Sequence, residues 1–532
     1  MLLKGSRLRS RPLAVVSNRL PVTIDSQGSA TMSSGGLVTA LSPVLRRHGG
    51  QWIGWTGTET TAEEALASFS KVQGYSLKAV DLNPNDVEAF YYGFSNEVLW
   101  PLFHGFPCRC RFEPEFWRAY ERVNETFAAT IAAATDPSDF VWVQDYHLLL
   151  VAQKLRSMGI KRDCGFYLHI PFPHPDLFFC LPWRDQIVSG LADYDFLGFQ
   201  TSQDRENFCS CLQSTSSSDS RAPKDQPAAF ERTHTMAAPI SIDFDEFANE
   251  AESCRREPEA SCIGPLNQGC RTLLGVDRLD YTKGIPERLR AYRQLLQDFP
   301  EHRKKTTLLQ VVVPSRERIE AYQQLKIEIE RLVGEINGQF ATPGWTPIRY
   351  LYRSLSRREL VSTYIRSDLA VVTPLRDGMN LVAKEYCACT NDLNGALLLS
   401  EFAGASRQLQ DGAILVNPYD IEALAQAMNS ALRLSRPERR ARMFAARERI
   451  RAEDIGWWID RCLGPVRKAD MPSRTEPKRN RMPGSSSRER RAGLKPPSRQ
   501  SSRQSVPRYK AQKSLRTKSW RTTQIGRPES VS

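Results

Sequence analysis

VVTPLRDGMNLVAKEY, Val371 to Tyr386, reads as a strand, a tight turn and a helix with polar residues at the join. Val371, Val372 and Thr373 end a β-branched run, Pro374 stops it, and Asp377-Gly378 makes the turn. Asn380 is placed to cap a helix beginning near Leu381. The start of such a helix attracts anions, because its free N–H groups and a dipole charge of roughly +0.5 point at whatever lies before it. Glu385, a turn further on, is placed to accept hydrogen bonds from sugar hydroxyls. The combination suits a nucleotide sugar, although an ordinary strand-to-helix corner with a surface carboxylate would read the same way.

The same strand-turn-helix unit recurs outward from this stretch in both directions. Before it come strands at Thr272 to Val276, Thr307 to Val313, Ile348 to Leu351 and Leu369 to Thr373, each followed by a helical pattern. After it come a strand at Ala396 to Leu399 and helices from Ile421 onward. The N-terminal half opens with a strand at Leu13 to Ser17 that runs into Ser17-Asn18-Arg19, then Gly35-Gly36 and a helix from Leu37 to Leu45. Strands follow at Gln51 to Trp55, Phe140 to Val143, Cys164 to Ile170 and Phe196 to Phe199, with helices at Val87 to Trp100, Phe116 to Ala134 and Gln203 to Leu212. This alternation predicts an α/β chain of two facing Rossmann-like domains with parallel sheets. The residues from Gln213 to Arg232 turn to Ser, Asp and Pro and read as a surface loop, and Glu257 to Gly269 reads as the linker. The expected division is a 1–12 extension, domains at 13–256 and 270–468, and a tail at 469–532.

Composition limits the function classes. At 532 residues with 41% apolar content, the chain can build two cores. Its net charge is +13, but Met471 to Ser532 holds 17 Lys/Arg against 3 Glu, or +14, which leaves 13 − 14 = −1 for the rest. The fold itself is therefore near neutral. The basic tail, poor in apolar residues, is expected to be disordered; such a segment can bind polyanions, but a solvated tail with no dedicated partner reads the same way. The 12 cysteines contain no C-x-x-C pair, and the N-terminus is basic without an apolar signal region. Reduced thiols, a cytoplasmic setting and no membrane span are the expectation.

Candidate chemistry sits where strands end. Asp145 follows one strand and His169 another, although a lone histidine there could equally be a satisfied core residue. Arg278 and Lys283, in VDRLDYTKG, are spaced to reach one anion, and Arg316 adds a third cation after a strand. A departing diphosphate needs such groups. Tyr91 and Trp100 read as core aromatics. Two D-x-D pairs, Asp193/Asp195 and Asp243/Asp245, have the spacing of metal-dependent sugar transferases. However, Asp195 precedes a strand and Asp243 is placed to cap a helix, so no metal is expected. G-x-G-x-x-G, the P-loop, H-E-x-x-H and G-x-S-x-G are all missing from the sequence.

Eight ordered motifs then converge: SNR at 17–19, GGL at 35–37, FSNEVLWP at 94–101, VQDYHL at 143–148, LHIPFP at 168–173, GFQT at 198–201, VDRLDYTKG at 276–284, and TPLRDGMNLVAKEY. From Leu13 to about Leu463 the chain resembles the trehalose-6-phosphate synthases, retaining glycosyltransferases of two facing Rossmann-like domains. The resemblance implies UDP-glucose as donor, glucose-6-phosphate as acceptor and no metal cofactor. It implies donor contacts from Arg278 and Lys283 to the diphosphate, from Glu385 to the ribose, and from Asp377 with Gly378, Met379, Asn380, Leu381 and Val382 to the glucose and phosphates. Gly36 would admit the donor from the other domain and His169 would contact the glucose. Arg19 and Arg316 would grip the acceptor phosphate, with Tyr91, Trp100 and Asp145 positioning its sugar. Asp145, His169, Arg278, Lys283 and Asp377 form the implied catalytic set. Ser241 departs from the glycine of other members, the loop near Ser217 looks enlarged, and the tail has no counterpart. No phosphatase domain is expected after the fold, and homo-oligomer formation is left open. A glucosylglycerol-phosphate synthase using glycerol-3-phosphate is the nearest rival, disfavoured by Arg19. A silent regulatory subunit and a nucleic-acid binder working through the tail are the rivals from other classes.

Overall fold

The computed structural model describes residues 11–24, 30–32, 36–58, 63–218, 233–256 and 269–469. Gly35, the centre of the linker and the basic tail lie outside them. The strands are β1 (Leu13–Arg19), β2 (Val22–Ile24), β3 (Ala30–Met32), β4 (Gly50–Trp55), β5 (Ser76–Ala79), β6 (Phe140–Gln144), β7 (Asp163–Tyr167), β8 (Phe196–Phe199) and β9 (His234–Ala237) in the first half. The second half holds β10 (Arg271–Arg278), β11 (Thr306–Val313), β12 (Ile348–Tyr352), β13 (Leu369–Val372), β14 (Ala396–Ser400) and β15 (Ile414–Val416).

Two parallel sheets result, ordered β5-β4-β1-β6-β7-β8-β9 and β12-β11-β10-β13-β14-β15, with β2 and β3 as a separate antiparallel pair. The central strands, such as LAVV at the start of β1 and LLLS in β14, are buried along their length, as strands covered by helices on both faces must be. In each sheet the chain runs outward from a central strand and then returns to that strand's other side. The order therefore reverses between β1 and β6 and again between β10 and β13. Such a reversal opens a crevice outside the carboxyl ends of the strands. The residues that follow β1, β6, β10 and β13 are the ones positioned to act.

Several elements differ from the sequence reading. The helix expected to end at Leu212 runs from Ser202 to Ser218, so the residues from Gln213 to Ser218 are helical rather than loop. Three short edge strands, β5, β9 and β15, and the antiparallel pair β2 and β3 were not foreseen. The helix carrying Tyr91, Val87–Leu99, is wound as a π-helix, with the Trp100 N–H donating to the Ser95 carbonyl five residues back. π-turns are rare and concentrate at functional sites.

Two helices cross between the halves. Phe244–Arg256 packs against the helices Arg357–Ile365 and Leu381–Cys389, with Arg357 Nε 2.7 Å from Glu250 Oε2. The last helix, Ile455–Ala469, returns to the first sheet, where the buried Trp458 ring sits 5.0 Å from both Trp142 and Tyr167.

Candidate active site

The carboxyl ends of the two sheets enclose a cleft of about 640 Å³. Arg19, Tyr91, Trp100, Asp145, His169, Arg278, Lys283, Arg316, Asp377, Met379, Asn380, Leu381, Val382 and Glu385 all line it. Gly36 is the first residue of the helix Gly36–His48, whose Leu37 and Val38 also line the cleft. Gly378 faces an adjoining small pocket.

On the first half, Arg19 ends β1 with its guanidinium 4.2 Å above the Trp55 ring and 5.7 Å from that of Tyr91. Gly57, at φ +91°, leaves room for it, because a Cβ there would collide with the guanidinium. Tyr91 stacks on His147, with centroids 5.9 Å apart and planes 10° from parallel. Asp145 follows β6 at φ +72°, a conformation uncommon in residues other than glycine. Burial raises its carboxyl to about 6, against the hydrogen bonds it accepts from the Tyr146 and His169 N–H groups.

The His169 ring is 3% exposed, and burial lowers its pKa to about 3, so it is neutral. Its Nε2–H donates to Gln144 Oε1 at 2.9 Å, and its Nδ1 accepts from Gln200 Nε2 at 3.4 Å. Gln200 is fixed in turn by the Ile240 N–H at 3.0 Å. Both ring nitrogens are thus committed inside the protein, which leaves the ring as a rigid wall of the cleft.

On the second half, Lys283 Nζ lies 2.6 Å from Asp377 Oδ2, with both side chains nearly buried. Burial alone would raise the Asp377 carboxyl, but Lys283 outweighs it and holds the group below its ordinary value. Asp377 also accepts from the Met379 N–H and from Asn380 Nδ2, each at 3.2 Å. Asn380, at φ +79°, caps the helix Leu381–Cys389 by accepting from the Ala383 N–H at 3.1 Å. The turn is pressed against the first half, since a Cβ on Gly378 would meet the His169 carbonyl and the Ile170 backbone. Glu385 accepts from the Tyr364 hydroxyl at 2.8 Å, and burial raises its pKa.

The halves meet at Trp100. Its ring lies beneath the Arg316 guanidinium at 4.1 Å and 5.5 Å from that of Arg278, and its indole N–H donates to Asp280 Oδ1 at 3.4 Å. Arg278, the last residue of β10, stays half exposed. Arg316 is 4% exposed and hydrogen-bonded to the Tyr322 hydroxyl at 2.6 Å and the Tyr146 hydroxyl at 3.1 Å. Cations from both halves therefore converge on one crevice, next to a carboxylate and a capped helix start. A substrate carrying several phosphate charges and sugar hydroxyls matches that lining.

Sequence reasoning passed over Asn18, His104 and His147, which also line the cleft. Asn18 Oδ1 and His147 Nε2 are buried without a hydrogen-bond partner among the described residues. The available signal was their place inside SNR and VQDYHL. Both D-x-D pairs do structural work. Asp195 accepts from the Cys164 N–H at 2.7 Å and faces Arg156 at 3.4 Å, while Asp243 caps a helix by accepting from the Glu246 N–H at 2.9 Å. Among the described residues, no helix is long and apolar enough to cross a membrane.

Residues 11–467 match the model of glycosyltransferase family 20. A trehalose-6-phosphate synthase of Mycobacterium leprae (strain TN) is 42% identical over 477 residues, covering 86% of this chain and 95% of its own. One from Mycobacterium sp. (strain KMS) is 40% identical over 479 residues, covering 88% and 96%. Among solved structures, a UDP-forming α,α-trehalose-phosphate synthase from Burkholderia xenovorans in complex with glucose-6-phosphate superimposes with a TM-score of 0.76. It is 33% identical and covers 86% of this chain and 99% of its own. An E. coli structure bound with UDP-2-fluoro glucose gives a TM-score of 0.74 at 35% identity, with 86% and 99% covered. With a matching family model over most of its length and relatives above 40% identity, the chain belongs to glycosyltransferase family 20.

Proposed function

We propose that the protein transfers glucose from UDP-glucose to glucose-6-phosphate with retention at the donor carbon, giving α,α-trehalose 6-phosphate and UDP. The observation that carries this reading is the single cleft in which Arg19 from one sheet meets Arg278, Lys283 and Arg316 from the other. Such a cleft suits two phosphorylated partners. Arg278 and Lys283 take the donor diphosphate, and the N–H groups opening Leu381–Cys389 complete its cradle. Glu385 receives the ribose hydroxyls. Asp377 and the turn from Gly378 to Val382 receive the glucose against the wall made by His169, and Gly36 admits the donor from the opposite side. Arg19 and Arg316 take the acceptor phosphate, while Tyr91, Trp100 and Asp145, joined by Asn18 and His147, receive its sugar.

The bond between the donor carbon and the phosphate oxygen breaks first, and the developing charge on the diphosphate falls on Arg278 and Lys283. Stabilisation confined to that moment accelerates the reaction, since it is stronger in the transition state than in the ground state. The acceptor hydroxyl then bonds to the oxocarbenium-like carbon on the face the phosphate is leaving, and its proton passes to the departing phosphate oxygen. Asp145 orients the acceptor, and no carboxylate has to form a covalent bond.

UDP release measured with glucose-6-phosphate and with glycerol-3-phosphate as separate acceptors tests the reading. Turnover with glucose-6-phosphate is expected, and turnover with glycerol-3-phosphate alone would overturn it. The same assay with ADP- and GDP-glucose sets the donor base. A cytoplasmic location, a domain division within 257–269 and polyanion binding by the tail belong to the same proposal. Salt-dependent binding to a polyanion, lost on truncation at Met471, is the expected behaviour of the tail.

A further inference from the structure

Asp280 is a buried carboxylate to which the reaction outlined above gives no part. Its side chain is 0% exposed, yet it lies between the two phosphate-handling arginines. One oxygen, Oδ1, is fixed by three donors: the Thr282 N–H at 3.0 Å, the Thr282 hydroxyl at 3.0 Å and the Trp100 indole N–H at 3.4 Å. The other, Oδ2, is left facing Arg316 Nη1 at 3.1 Å and Arg278 Nη2 at 3.9 Å. Among the described residues, no other carboxylate forms an ion pair with either arginine. The remaining side-chain partners of Arg316 are neutral hydroxyls and the ring faces of Trp100 and Tyr322. A buried guanidinium without a counter-charge is strongly destabilising. Asp280 therefore does for the empty cleft what a bound phosphate does for the filled one.

We propose that Asp280 is a resident counter-anion that stands in for the acceptor phosphate and competes with it. Held by Thr282 and Trp100, the carboxylate cannot swing away when a phosphate arrives at Arg316, so the two like charges share one cation. Affinity for the phosphorylated acceptor and for the phosphorylated product is reduced, and product leaves faster. This rests on the reading of Arg316 as a ligand of the acceptor phosphate.

Asp280→Asn tests it, with glucose-6-phosphate affinity read by calorimetry in the presence of UDP alongside the unliganded Tm. The variant is expected to melt several degrees below wild type when empty, to bind glucose-6-phosphate about tenfold tighter, and to turn over more slowly as product release slows. Unchanged or weaker affinity would overturn the proposal, since it would mean that Asp280 only aligns Arg316. If wild type fails to bind glucose-6-phosphate, or binds it as well after Arg316→Gln, the acceptor-site reading itself fails, whatever Asp280→Asn does. Where the single variant is too unstable to titrate, Asp280→Asn/Arg316→Gln removes both charges and is expected to recover the wild-type Tm. A double variant no more stable than the single one contradicts the proposal.

Discussion

Asp145 combines a left-handed backbone, burial and a carboxyl raised to about 6. Its place after β6 was legible in VQDYHL, but the raised pKa was not, because it comes from burial by elements far away in the chain. In its proposed role the carboxylate accepts a hydrogen bond from the acceptor, so it acts when ionised. kcat/KM, which reports groups of the free enzyme, is therefore expected to rise with pH through about 6, and Asp145→Asn to flatten that limb at a reduced rate; a limb kept intact in the variant would assign the titration elsewhere. Glu385 belongs to the proposed donor side of the cleft. Losing its charge-assisted hydrogen bonds costs about 1.5–3 kcal/mol, so Glu385→Ala is expected to raise the UDP-glucose KM at least tenfold while leaving the glucose-6-phosphate KM nearly unchanged. Steady-state kinetics with each substrate varied in turn would show the reverse pattern if the two half-sites were exchanged. Asn18, His147 and Asp280 carried no signal beyond their places inside SNR, VQDYHL and VDRLDYTKG, since only the fold reveals an orphaned buried atom or the partners of a buried charge.

At the scale of elements, the join from Val371 to Tyr386 forms as its sequence dictates, with Asn380 capping a helix at Leu381. Misreadings fall where local signals conflict. The Ser/Thr-rich end of the helix Ser202–Ser218 looks like loop, but Ser210, Ser214 and Thr215 return their hydroxyls to carbonyls four residues back. β9 and β15 are too short to show periodicity and exist because a neighbouring strand pairs with them. The capped helix also carries Lys384, which is buried and donates to the Ile240 carbonyl at 2.6 Å, tying this helix to the first half. Burial lowers the Lys384 pKa to about 7. Between there and the ordinary lysine value of about 10.4 the unfolded chain holds a proton that the folded one lacks, so stability gains with rising pH across that window. Urea unfolding of wild type and Lys384→Met at several pH values should show the difference between them moving in favour of wild type from pH 7 upward. A difference independent of pH would mean Lys384 is not the titrating group.

For the whole molecule, the β-α alternation was enough to fix two parallel sheets, and the strand ends were enough to nominate most of the cleft. What chain order could not show is the exchange of helices, in which Phe244–Arg256 packs on the second half and Trp458 returns to the first. Nor could it show that Trp100, an aromatic that reads as core, is held between cations and a carboxylate of the other half. These ties bring the residues proposed for donor and acceptor into one crevice, which is what transfer on the face the phosphate leaves requires. The stereochemistry of the product tests that claim most directly. With UDP-glucose and glucose-6-phosphate supplied together, NMR of the product should show α configuration at both anomeric carbons, and a β-linkage at the carbon that came from UDP-glucose would contradict transfer with retention.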